Sequence, residues 1–163
     1  MSDILIPSID RSLKNLSVIL DKGAAFAEKK QIEASVLTGS RLAPDMFPLS
    51  RQVQIACDIA KGAAARLSGT EIPKYEDTET TFPELKARVE KTLAFVNGID
   101  AEKFKNAGER EIVLNTRRGD LTFTGMTYLL EFVLPNVYFH VTTTYIILRH
   151  NGVDLGKSDY LGA

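Results

Sequence analysis

Gly125 to His150 reads GMTYLLEFVLPNVYFHVTTTYIILRH, and this stretch decides the fold. Leu130, Val133, Leu134, Val137, Val141, Tyr145 and Leu148 recur at steps of three and four, which lays one apolar stripe along a helix. The spacing predicts a single helix of about 39 Å. No charged residue lies between Glu131 and Arg149, yet Pro135, Asn136, His140 and the run Thr142 to Thr144 would be costly in lipid. We therefore read a core helix of a bundle rather than a membrane span. Pro135 has no N–H to donate to the Glu131 carbonyl and is expected to bend the helix there. Asn136 and His140, four residues apart, lie one above the other on the same face. Polar groups thus enter the core here, where they either satisfy one another or form one wall of a site.

Upstream, Glu111 to Leu114 and Leu121 to Phe123 bracket the turn-forming run Asn115 to Asp120, which predicts a small hairpin. Ile112 and Leu114 would share a face with Leu121 and Phe123, and Arg117 and Arg118 at the tip read as solubilising rather than phosphate-binding. Thr81-Phe82-Pro83-Glu84 is a capping box, and Phe82, Leu85, Val89, Leu93 and Val96 carry a third helix to Asn97-Gly98. Ser68 to Thr80 reads as a surface connection. A second helix runs from Met46 to about Leu67, with Asp45 as its expected cap and Pro48 in its first turn. Val53, Ala56, Cys57, Ala60, Ala63, Ala64 and Leu67 give it a stripe of small residues, which lets neighbouring axes approach closely and makes this helix central. Gln54 and Asp58, one turn apart, flank that stripe. Ile32 to Pro44 reads as a loop. Leu5 to about Lys30 is the first helix, with Ile9, Leu13, Leu16, Leu20, Ala24 and Ala27 inward. Past the long helix, Asn151-Gly152 is the stop and Val153 to Ala163 an irregular tail.

The 163 residues, 44% hydrophobic and 25% charged, are enough for one domain, residues 1–163, with a real core. A net charge of −1 gives no field that would gather nucleic acid or an anionic membrane, so neither is expected as a partner. The single cysteine, Cys57, excludes an internal disulfide and any multi-cysteine zinc site, and within an alanine stripe it reads as a buried, unreactive thiol. With no export leader in the sequence, a cytoplasmic location is expected.

Three amphipathic helices, a hairpin and a long last helix predict an all-α four-helix bundle with a small β-hairpin before the final helix. The segments Arg41 to Leu49, Arg51-Gln52-Val53-Gln54, Leu134 to Thr143 and Leu148 to Val153 resemble the domain-of-unknown-function family 1993 of the DinB/YfiT-like superfamily. The resemblance covers nearly the whole chain. It implies an up-down-down-up bundle and a homodimer, and no established activity. It also implies where a divalent metal sits in many relatives: one histidine on the second helix and a His-x-x-x-His pair on the last. Here His140 matches the second histidine of the pair, Asn136 stands in place of the first, and Gln54, within one residue, replaces the one on the second helix. Carboxamides are poor ligands for zinc or nickel, so any such metal held by His140 with Asn136 and Gln54 would be weakly bound, and no cofactor is expected. His150 lies about 15 Å further along the helix, too far to complete the site.

Three functions remain open on the sequence. The first is a small polar ligand bound in a metal-free pocket of Gln54, Asp58, Asn136, Tyr138, His140 and Thr143, where amides and an imidazole can donate and accept together. The alternative is a metal-dependent hydrolase or thiol transferase of the DinB/YfiT type with a degenerate site, or a metal-free enzyme using His140 as base. A structural or interaction protein, whose polar cluster only registers the helices, is the third.

Overall fold

The computed structural model describes residues 1–117 and 119–163; the sequence reading of Arg118 lies outside the described residues. Helix α1 spans Ser2–Lys30 and buries Leu5, Ile9, Leu13, Leu16, Ile19 and Leu20 completely. A short helix, α2, Ala34–Thr38, occupies part of the expected loop. Helix α3 covers Leu49–Ser68 and α4 covers Phe82–Asn97. The strands β1, Glu111–Thr116, and β2, Gly119–Thr124, form the hairpin and lead through a single turn, α5, Gly125–Thr127, toward helix α6, Leu134–His150. A last short helix, α7, Lys157–Leu161, gives form to the expected irregular tail. The four long helices pack in the ring α1, α4, α3, α6, an up-down-down-up bundle with α3 against both α4 and α6. No helix of the described residues is long and apolar enough to cross a membrane.

The small-residue stripe explains the central place of α3. Val53, Ala56, Cys57, Ala60, Ala63, Ala64 and Leu67 are all fully buried, so two neighbours close onto it with little side chain between. The Thr81 capping box forms as read: Thr81 Oγ1 accepts from the Glu84 amide at 3.4 Å, and Glu84 Oε2 accepts from the Thr81 amide at 2.9 Å. In the hairpin Ile112 pairs with Phe123 and Leu114 with Leu121, continuing to Thr116 opposite Gly119. Gly125 docks this hairpin on the bundle, because a Cβ there would lie 1.8 Å from the Ala107 carbonyl oxygen.

Two expectations are corrected. Asp45 does not cap α3: the helix begins after Pro48, in extended geometry at ψ 166°. Proline disfavours helical geometry in the residue before it, so Phe47 cannot join the helix. The long last helix is not continuous α-helix either. Tyr128–Val133 widens into a π turn before Pro135, whose ring crowds the carbonyl four residues back and removes one donor from the regular ladder. The wider turn shifts the phase of everything upstream. Tyr128 and Leu129 are buried, and Leu130, expected on the inward stripe, is 50% exposed.

Candidate functional site

His140 lies on the side of α6 that faces α3. Its partner comes from the first turn of α3, and the start of that helix explains why. Phe47 precedes Pro48 outside the helix, and its carbonyl accepts from Gln52 Nε2 at 3.0 Å. The Gln52 amide is thereby oriented, with Oε1 aimed at α6, where it lies 2.7 Å from His140 Nδ1. An oxygen can only accept, so Nδ1 carries the proton and Nε2 keeps its lone pair. Burial holds the His140 pKa below its ordinary value, and the nearby positive charge of Arg51 adds to this. A neutral imidazole of fixed tautomer results. The Phe139 ring meets it edge-on at 5.2 Å.

The other polar residues singled out in the sequence are not part of this contact. Asn136 donates from Nδ2 to the Phe132 carbonyl at 2.6 Å, and Thr143 donates to the Phe139 carbonyl at 2.7 Å; both are turned back on their own helix. Tyr138 lies on another flank of α6, beside a cleft bordered by α1 and α7. Gln54, expected opposite His140, instead donates from Nε2 to Glu79 Oε2 at 3.0 Å and accepts from Arg51 Nη1 at 3.2 Å. Residues 52 and 54 of one helix point roughly 200° apart, so the glutamine that meets α6 is Gln52.

Gln54 and Asp58 belong to a second cluster centred on Arg88 of α4, whose side chain is 1% exposed. Arg88 Nη2 reaches Asp58 at 2.8 Å and Asp77 at 2.9 Å, while Nη1 donates to Glu79 Oε1 at 3.0 Å and to the Glu76 carbonyl at 2.9 Å. Lys61 pairs with Asp58 at 2.7 Å. The Tyr75 ring receives Lys61 and Lys91 at about 4 Å from its centre, a cation–π arrangement. Arg88 thus straps the segment between α3 and α4 onto the bundle. Arg51, paired with Asp77 and hydrogen-bonded to Gln54, connects this cluster to the surroundings of His140. Sequence reasoning missed Gln52, Arg51 and Arg88. A signal for Arg88 existed, since it falls three residues after Leu85 and four before Thr92, in phase with the buried stripe of α4.

Residues 1–161 match the family described as a domain of unknown function, DUF1993. The chain belongs to DUF1993. No curated protein matches it. Among solved structures it is similar to a DinB family member protein from Shewanella denitrificans, at 47% identity and a TM-score of 0.93, over 99% of this chain and 92% of that one. This DUF1993 chain therefore has the DinB-like bundle that its sequence resembles.

The donor set does not fit the metal that such a bundle implies. His140 supplies one imidazole, Gln52 has its oxygen engaged by that same ring, and Asn136 is held by Phe132. Among the described residues no group of three or more His, Cys, Asp or Glu is placed to hold a metal ion. Cys57 offers no nucleophile: it is fully buried, and burial pushes its thiol up to about 12.

Proposed function

We propose that this protein binds a small polar ligand without a metal, with His140 Nε2 as the accepting group. The observation that supports this is the relay from the Phe47 carbonyl through Gln52 to His140 Nδ1, which leaves Nε2 with its lone pair and no partner among the described residues. A ligand for such a group must present a hydroxyl or N–H donor. The exposed Phe139 ring beside the imidazole, 56% accessible, would cover the ligand's apolar side. Within the same reading residues 1–163 act as one cytoplasmic domain. They pair as a homodimer, the state that the family resemblance implies.

Thermal shift of the whole chain against a panel of small amides, amino acids and hydroxy acids tests the reading, with and without a chelator. Stabilisation that survives chelation and disappears in His140→Gln is the expected result. Stabilisation that requires added zinc or nickel, or none from any member of the panel, overturns it.

A further inference from the structure

On the flank of α6 that carries Tyr138, a cleft of about 430 Å³ opens between α1, α6 and α7. That volume is within the range of roughly 300 to 1,000 Å³ common for small-molecule sites. Ser8 and Arg11 come from α1, Tyr138 and Val141 from α6, Tyr160 and Leu161 from α7. The α7 wall is fixed in place. Asn15 Nδ2 donates to the Tyr160 carbonyl at 2.9 Å, the Tyr145 and Tyr160 rings meet edge to face at 6.2 Å, and Lys22 pairs with Asp159 at 2.7 Å.

Arg11, exposed to solvent, is the one charged side chain among the described residues that line this cleft. Arg11 donates from Nε to the Leu161 carbonyl at 3.1 Å, which orients the guanidinium, and its two terminal nitrogens have no acceptor among the described residues. The nearby carboxylates are already taken: Asp10 by Lys14 at 2.6 Å and by Asn97 at 2.8 Å, Asp159 by Lys22 and by the Gly156 amide at 2.8 Å. One oriented cation without a counter-ion therefore stands at the edge of a wall of two tyrosines, a valine and a leucine. A phosphate dianion would call for more positive charge than one arginine supplies, and no lysine is among the described residues that line the cleft.

We propose that this cleft binds a small organic monocarboxylate with an aromatic or branched apolar body. The carboxylate accepts from the terminal nitrogens of Arg11 in the fork geometry that guanidinium favours, and the body lies against Tyr138, Val141 and Leu161. The site is separate from the imidazole of His140 and stands whether or not a ligand binds there.

Titration of the full chain with 4-phenylbutyrate, and with its uncharged amide as control, tests this by amide chemical-shift mapping and calorimetry. The carboxylate should bind about tenfold or more tightly than the amide, because a charge-assisted pair is lost in the control. Shifts should cluster at Arg11, Tyr138 and Tyr160. Arg11→Gln should erase the preference and Arg11→Lys should keep part of it, with circular dichroism confirming that both variants fold. Equal binding of acid and amide overturns the proposal. So does no binding at millimolar concentration, a preference that persists in folded Arg11→Gln, or shifts that centre on Gln52.

Discussion

Gln52 Oε1 and His140 Nδ1 lie 2.7 Å apart across the contact between α3 and α6, and the Phe47 carbonyl decides which of them holds the proton. Burial, with Arg51 nearby, keeps the imidazole neutral below its ordinary 6.5. The folded chain then binds fewer protons than the unfolded chain between the two midpoints. The stability this contributes is fully present above about pH 6.5 and is lost as pH falls through the folded value. NMR titration of the His140 ring should give a midpoint below 6.5, and Gln52→Glu should raise it by placing a carboxylate against Nδ1. Urea unfolding as a function of pH should show a slope below 6.5 that His140→Gln flattens.

The π turn makes neighbouring leucines unequal. Leu129 is fully buried and Leu130 half exposed. Leu129→Ala should cost about 2 to 5 kcal/mol in chemical denaturation, as core truncations do. Leu130→Ala should cost less than about 1 kcal/mol. A continuous α-helix in the phase read from the sequence would give the opposite order.

Arg88 is the residue whose loss the chain should tolerate least. Arg88→Met removes a buried cation shared by Asp58, Asp77 and Glu79; Lys61 and Arg51 still answer the first two, and Glu79 is left with the Gln54 amide and no cation. Breaking a buried pair from one side costs about 3 to 5 kcal/mol, and the acids are partly solvated, so about 3 kcal/mol is expected from urea denaturation. Hydrogen exchange should rise in the segment from Thr70 to Thr80 before it rises in α3.

What was legible in the sequence was local. The Thr81 capping box, the hairpin with Ile112 and Leu114 on one face with Leu121 and Phe123, and the alanine stripe of α3 each depend on residues close in sequence, and each forms as read. His140 was legible as a polar intrusion in an apolar helix, but its partner was not. Gln52 and Gln54 flank the same stripe on opposite sides, and which flank meets α6 depends on the handedness of the whole bundle, a property no window of sequence contains. Asn136 looked like a second site residue because it shares a face with His140. A nearby carbonyl of its own helix satisfies it instead. Pro135 announced a disturbance without revealing its form, since a kink and a widened turn both relieve the same crowding.

The widened turn at Tyr128–Val133 also gives the chain slack. It holds more residues than a regular helical path over the same span would need, so one residue removed there could be absorbed by tightening that single turn. The hairpin docked by Gly125 and the imidazole set by Gln52 would each keep their own neighbours. Sequence length between these two ends of the molecule is therefore freer to drift than the unbroken apolar run suggests.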